Sequence, residues 1–161
     1  IFVFVIIELE SRRVVHVNVT RHPTDAWVAQ QLREATPFGE GPRFLIRDND
    51  KKFGDRFQHV IDGADIELLK TPVEAPRANA FCERFLGSLR RECLDYILIL
   101  SERHLRRIVT KYIAYFNAAR PHQGINQRIP CAPQFPDHSE GEIVGVPVLG
   151  GLHHDYRRKA A

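Results

Sequence analysis

An α/β fold, with helices packed on a sheet, is predicted for this chain of 161 residues. Short runs rich in Val, Ile and Phe alternate with segments whose apolar residues recur at helical spacing, and this alternation is typical of α/β proteins. The first two runs, 1–9 and 14–19, are separated only by the polar stretch 10–13. This arrangement predicts a hairpin at the start of the chain.

The next elements follow in order. Thr24 is a predicted N-cap for a helix that the Gly- and Pro-containing region 39–42 closes. The run 44–46 predicts a short strand of the buried type, Gly63 ends a helix that begins near Phe53, and residues 65–69 predict a further strand. The chain to this point therefore alternates strands and helices.

Two longer helices are predicted in the second half. One begins near Asn79 and turns an apolar face inward, made of Phe81, Cys82, Phe85, Leu86 and Leu89. The other is capped by Ser101, and its apolar stripe is Leu105, Ile108, Val109, Tyr112, Ile113 and Phe116. From about Gln127 the chain carries several Pro and Gly residues, and we predict an extended tail.

The composition excludes some classes of protein. With 43% hydrophobic and 27% charged residues the chain fits soluble globular proteins, and no run approaches the roughly 20 apolar residues of a membrane span. Three cysteines without metal-ligand spacing fit a reducing compartment. The formal charge of +3 does not by itself indicate nucleic-acid binding, but residues 101–130 hold six Arg or Lys against one acid.

Two carboxylates form a candidate metal site. Asp48 directly follows the run 44–46, at a strand end of the kind where ligands gather in α/β sheets. Glu83 would lie on the first turns of the helix near Asn79, and a helix packed on the sheet could bring it beside Asp48. Two hard oxygen donors suit Mg²⁺ or Mn²⁺. The alternative is a solvated helix face, and Asp50 is expected to cap the loop after Asp48.

Several motifs in order resemble the catalytic core of the DDE recombinases, that is, of retroviral-type integrases and bacterial insertion-sequence transposases. They are IIELESRRVV, HPTDAWV, RDNDKKF, TPVEAPRANAFCERFLGSLRRECLD and YFNAARPHQGI. The resemblance runs from about residue 2 to residue 130. It implies an RNase H-like fold, a mixed sheet flanked by helices, and a site in which three acids bind two divalent ions, Mg²⁺ or Mn²⁺.

The resemblance also implies roles for individual residues. Asp48 matches the second acid and Glu83 the third, with 34 residues between them. Positions that match DNA contacts of the family are Arg77, Asn79, Arg84, Arg90 and Arg91. The implied partners are mobile-element ends, target DNA and further copies of the chain, without a membrane, in the bacterial cytoplasm and at the nucleoid when bound to DNA.

The start of the chain departs from the family pattern. The first acid of the family lies on a strand before VFVIIELESRRV, so we expect the first strand and its Asp to lie outside this chain, whose first residue is Ile1 and which has no Met. We therefore expect a truncated core at 1–126, a tail at 127–161, and no Mg²⁺-dependent DNA cleavage by the chain as given.

Two alternatives to a DNA strand-transfer enzyme stay open at this point. The first is a metal-dependent phosphodiester nuclease that hydrolyses DNA at the same site. The second is an inactive remnant that only binds DNA or a partner. His122, in the last motif, has two interpretations: a functional residue of the family, or a residue that caps or packs its turn.

Overall fold

The computed structural model describes residues 1–37, 41–48, 50, 52–70, 80–131 and 141–159. Its elements are, in chain order, β1 (Phe2–Ile7), β2 (Val14–Thr20), α1 (Asp25–Ala35), β3 (Phe44–Arg47), α2 (Asp55–Gly63), β4 (Glu67–Lys70), α3 (Ala80–Glu92), α4 (Glu102–Ala118), β5 (Ile143–Val148) and β6 (His153–Arg158). They fall into two compact units, one of Ile1–Ile7 with Val15–Gly87 and one of Glu8–Val14 with Ser88–Ala161. The predicted domain boundary at residue 126 stays a prediction.

The strands of the first unit form two small sheets. The hairpin partners β1 and β2 make one, while β3 and β4 make a parallel pair in which Phe44 lies opposite Glu67 and Arg47 opposite Lys70. A parallel pair needs a crossover connection, and here α2 supplies it. The predicted alternation of strands and helices is therefore confirmed.

An apolar cluster of buried residues lies in the first unit. Phe4 of β1 and Ile66, just before β4, are buried together with residues from both helices, namely Val28, Ala29, Leu32, Phe57, Val60 and Ile61. Burying one such large side chain contributes about 1.5–3 kcal/mol relative to leaving it in water. This cluster fixes the position of the short strand β3, whose Leu45 packs against it.

The prediction that the run 44–46 is buried is wrong. Phe44 is 44% exposed and Ile46 is 36% exposed, whereas Leu45 between them packs on the core. Successive side chains of a strand point to opposite faces. One face of β3 is therefore covered by the apolar cluster and the other is open among the described residues.

A carboxylate from α1 caps α2. Gly54, the residue before α2, has no side chain to bond the free amides of the first turn. Asp25 accepts from the amides of Gly54, Arg56 and Phe57 at 3.0, 2.9 and 3.0 Å. A Cβ on Gly54 would lie 2.9 Å from the Asp25 carboxyl carbon, so this close approach requires glycine.

Helix α4 forms as the sequence predicts. Ser101 accepts from the amide of His104 through its hydroxyl oxygen at 3.0 Å, which satisfies one free donor of the first turn. All six residues of the predicted apolar stripe are buried. In α3 the prediction holds in part, because Phe85 and Leu89 are buried but Leu86 is 38% exposed.

The last described segment is an antiparallel hairpin, where an extended tail is predicted. β5 and β6 pair from Ile143 opposite Arg158 to Val148 opposite His153, and a short turn at Leu149–Gly151 joins them. Gly150 and Gly151 have φ of 72° and 95°, which glycine adopts without strain. No helix in the described part of the chain is long and apolar enough to cross a membrane.

Candidate functional site

Asp48 follows directly on β3, at the carboxyl end of that strand. Its side chain is exposed, and its Oδ1 accepts the amide of Asp50 at 3.2 Å, which holds the start of the loop. The guanidinium of Arg47 lies over the Phe53 ring and donates to the Asp48 carbonyl at 2.7 Å. Arg47 thus bonds the backbone of Asp48. The Asp48 carboxylate remains exposed to solvent.

Asp50 has a different role in the same loop. Its carboxylate accepts from the amide of Lys52 and forms an ion pair with the Lys52 ammonium. The hydrogen bond from the Lys52 side chain, followed by that from its amide, lowers the pKa of Asp50. The expectation that Asp50 caps the loop is confirmed, while the first turn of α2 takes its cap from Asp25.

Glu83 lies in the first turn of α3, where the positive end of the helix dipole favours a carboxylate. Its side chain is exposed. Within the described residues neither Glu83 nor Asp48 forms an ion pair with a Lys or Arg. Two carboxylates of the first unit are therefore left without a neutralising cation.

The charges of both carboxylates act on the half-buried thiol of Cys82. Burial raises the pKa of the Cys82 thiol, and the negative charges of Asp48 and then of Glu83 raise it further. Coulomb interactions weaken with distance and with screening by water. Asp48 at the end of β3 and Glu83 on α3 therefore both act on the same thiol, and their joint role as metal ligands stays a prediction.

The chemistry of this pair suits a divalent cation. Neighbouring carboxylates repel each other, and a bound Mg²⁺ or Mn²⁺ would relieve that repulsion while taking its remaining ligands from water or phosphate oxygens. No group of three or more His, Cys, Asp and Glu residues that could hold a metal ion occurs within the described residues. The two carboxylates fit a partial site that depends on further ligands.

The basic residues predicted for DNA contact lie mostly on α3. Arg84, Arg90 and Arg91 are exposed. Arg84 lies over the Phe81 ring, at 5.7 Å from its centroid, and Arg90 forms an exposed ion pair of 3.5 Å with Asp95. Arg77 and Asn79 lie outside the described residues. DNA contact by these five residues stays a prediction.

A half-buried ionic network at the end of α3 was not predicted from the sequence. The Glu92 carboxylate accepts from Arg120 Nε at 2.8 Å and Nη2 at 2.6 Å, and from the Tyr112 hydroxyl at 2.8 Å. Burial opposes ionisation, but the bonds from Arg120 and Tyr112 hold the pKa of Glu92 below its usual value. Burial and the bond to Glu92 raise the pKa of Tyr112.

The motif FNAARPHQGI has a structural role in the second unit. Asn117 bonds both the amide and the carbonyl of Val14, each at 2.9 Å. His122 is buried, bonds the Phe116 carbonyl at 3.0 Å and packs edge-on against the Phe116 ring. Burial lowers the pKa of His122. The interpretation of His122 as a residue that packs its turn is therefore confirmed.

His153 attaches the C-terminal hairpin to the same network. Its Nε2 bonds the carbonyl of Glu92 at 2.8 Å, and its ring stacks on Tyr115 with centroids 4.6 Å apart. A carbonyl only accepts, so Nε2 carries the proton of this bond. The structure thus gives His153 a packing role in a part of the chain where the sequence predicts an extended tail.

Comparisons with known proteins agree with the predicted resemblance. Residues 64–130 match the family model described as integrase core domain. An uncharacterized 39.2 kDa protein of insertion element IS476 from Xanthomonas euvesicatoria is 31% identical over 123 residues, which cover 76% of this chain and 35% of that protein. An uncharacterized 31.7 kDa protein of insertion element IS407 from Burkholderia multivorans is 25% identical over 123 residues, covering 74% of this chain and 44% of that protein.

A solved structure is similar to nearly the whole chain. It is a chain of the simian T-cell lymphotropic virus intasome in complex with PP2A regulatory subunit B56 gamma, with a TM-score of 0.64 and 17% identity over 98% of this chain and 60% of that one. This similarity shows the α/β fold of the RNase H-like type. The chain spans less than half the length of the two insertion-element proteins.

Proposed function

We propose that this chain carries the core of the integrase and insertion-sequence transposase family, the DDE recombinases, and that it belongs to an enzyme that transfers DNA strands. Its substrates are then the ends of a mobile element and a target DNA, and it works as a homo-oligomer. The observation that supports this is the pair Asp48 and Glu83, which are exposed, lack an ion-pair partner among the described residues and both act on Cys82.

In this proposal Asp48 and Glu83 are ligands of Mg²⁺ or Mn²⁺. When bound, a pair of such ions stabilises the charge on the attacking and leaving oxygens of a phosphoryl transfer. Asp48 is held by the loop bond to the Asp50 amide, and Glu83 by the first turn of a 13-residue helix. Both ligands thus stand on ordered backbone, which limits the loss of entropy on binding a cation and DNA.

The reaction exchanges one phosphoester bond for another. A DNA 3′-hydroxyl oxygen forms a new bond to a target phosphorus while the bond from that phosphorus to its own 3′ oxygen breaks. The attacking hydroxyl gives its proton to water, and the leaving oxygen takes a proton from water to become a free 3′-hydroxyl. Arg84, Arg90 and Arg91 would position the phosphates, since guanidinium groups bind phosphate oxygens bidentately. The same site with water as the attacking group would hydrolyse DNA.

A strand-transfer assay tests this function. A labelled duplex with a free 3′-hydroxyl and an unlabelled target are incubated with Mn²⁺ and the full-length protein that contains this core. We expect joined products, their loss in Asp48→Asn and in Glu83→Gln, and their retention in Asp50→Asn, which removes a carboxylate of the same loop. Joined products that survive both substitutions would contradict the proposal, and cleavage without joining would assign a nuclease.

A further inference from the structure

Helix α4 carries a row of cations on its exposed side. Arg103, Arg107 and Lys111 are exposed and spaced four residues apart, so they follow one another along the same face at about 6 Å per step. Like charges at this spacing repel one another and destabilise a helix. Within the described residues none of the three forms an ion pair.

An open cleft of about 360 Å³ lies at the N-terminal end of this row, lined by Ser101, Arg103, His104 and Arg107. Each lining side chain offers a hydrogen-bond donor. His104 Nδ1 accepts from the Leu100 amide at 3.4 Å, which leaves the proton on Nε2. The hydroxyl oxygen of Ser101 accepts from the His104 amide at 3.0 Å, so its own proton is free to be donated.

The one acid in the sequence of α4 forms an ion pair with a residue outside this row. Glu102 is the only acid between residues 101 and 130, and it pairs with Arg106 at 3.4 Å. The cleft and the row beyond it therefore present two guanidinium groups, an ammonium, an imidazole N–H and a hydroxyl, with no carboxylate among the lining residues. Such a lining fits an anion with several oxygens.

We infer that the face of α4 formed by Ser101, Arg103, His104, Arg107 and Lys111 is a second binding surface, for the phosphate backbone of duplex DNA. The choice of DNA as the anion that binds this surface rests on the proposed function. The surface lies in the second unit and uses neither Asp48 nor Glu83.

The composition of the row favours phosphates over an acidic protein partner. The centres of protein interfaces are rich in aromatic residues and poor in Lys. The row instead consists of Arg and Lys. Of the three aromatic residues of α4, Tyr112 and Phe116 are buried, and Tyr115, four residues beyond Lys111, is half-buried and stacks on His153. Contacts of this kind fix DNA in place without reading its sequence.

Duplex binding measured against KCl concentration in the presence of EDTA tests the surface. Each phosphate contact adds about 0.9 to the slope of log K against log salt. The triple variant Arg103→Gln, Arg107→Gln and Lys111→Gln should bind more weakly and lower the slope by about 2–3. Arg106→Gln on the same helix is the matched control: its guanidinium pairs with Glu102, so we expect the slope to change by much less than the about 0.9 of one phosphate contact.

Two results would overturn the inference. One is an unchanged slope in the triple variant. The other is a decrease in slope per removed charge equal to that of Arg106→Gln, since DNA binding would then depend only on the total charge of the protein. All four side chains are exposed, so we expect the circular dichroism spectra to be unchanged. Binding measured in EDTA does not depend on a cation at Asp48 and Glu83. If strand transfer fails while DNA binding still depends on Arg103, Arg107 and Lys111, the result therefore refutes the proposed function and not this surface.

Discussion

Helix α3 carries two glutamates whose surroundings are opposite. Glu92, at its end, is half-buried and receives three hydrogen bonds from Arg120 and Tyr112. Glu83, in its first turn, is exposed and has no ion pair among the described residues, although Asp48 acts on the same neighbouring thiol. Glu92, which stabilises the fold, is thus paired with a cation. Glu83 and Asp48, which could bind a metal ion, have no ion-pair partner in the part of the chain that the structure describes.

The same substitution at both positions tests this difference. Glu92→Gln replaces charge-assisted hydrogen bonds by neutral ones and leaves the Arg120 guanidinium uncompensated, so the free energy of unfolding should fall by about 2 kcal/mol. Glu83→Gln should change it by no more than about 0.5 kcal/mol, as at other exposed positions. Urea unfolding gives both values, and equal losses would contradict the comparison.

Asp25 and Asp48 form a second pair of contrasted carboxylates. Asp25 accepts three amides of the first turn of α2, and we expect Asp25→Asn to cost about 1 kcal/mol of unfolding free energy, the usual size for a helix cap. Asp48→Asn should be neutral or slightly stabilising because it removes a like-charge repulsion. The measurement is again urea unfolding, and a large loss in Asp48→Asn would make Asp48 a structural residue.

A smaller effect is expected in the pH dependence of stability. The pKa values of Glu92 and Asp25 are lowered in the folded protein, by hydrogen bonds that outweigh the opposing effect of burial. Each carboxylate therefore contributes stability above its unfolded pKa, about 4, and this contribution is lost as the pH falls through the folded pKa.

The variants make this pH dependence specific. The double variant Asp25→Asn and Glu92→Gln should lose less stability between about pH 4 and the acid limit than the unaltered protein does, because both contributions are already absent. Each of the two single variants should remove part of the loss of stability on acidification, since the two sites lie in different units and act independently. If the double variant and the unaltered protein lose the same stability as the pH falls, other groups control acid unfolding.

Local patterns explain which parts of the fold were predictable from the sequence. The apolar period of α4 and its cap Ser101 predict that helix and its buried face fully. The exposure of Phe44 and Ile46 was not predictable, because a short apolar run has the same pattern whether one or both faces are covered. The hairpin 143–158 was missed because its Gly and Pro residues resemble those of an irregular tail.

The candidate site shows the same limit. Asp48 and Glu83 could be selected because motifs of a known family surround them. The Glu92–Arg120 pair and the Asp25 cap join residues 28 and 29 positions apart, and no local pattern identifies such partners. The position of Cys82 beside Glu83 was available from the sequence, but its proximity to Asp48 required the fold.

Cys82 offers the most direct test of the proposed cation site. Alkylation of Cys82 is measured by mass spectrometry at mildly alkaline pH, with and without Mg²⁺, and exposed Cys131 is the internal reference. Burial is the main cause of the raised pKa of Cys82, and the charges of Asp48 and Glu83 raise it further. A cation on Asp48 and Glu83 would remove this second contribution, so Mg²⁺ should speed the alkylation of Cys82 relative to that of Cys131. The acceleration should disappear in Asp48→Asn and Glu83→Gln and persist in Asp50→Asn. An unchanged rate ratio, or an equal acceleration in Asp48→Asn, would contradict a metal site at these two carboxylates.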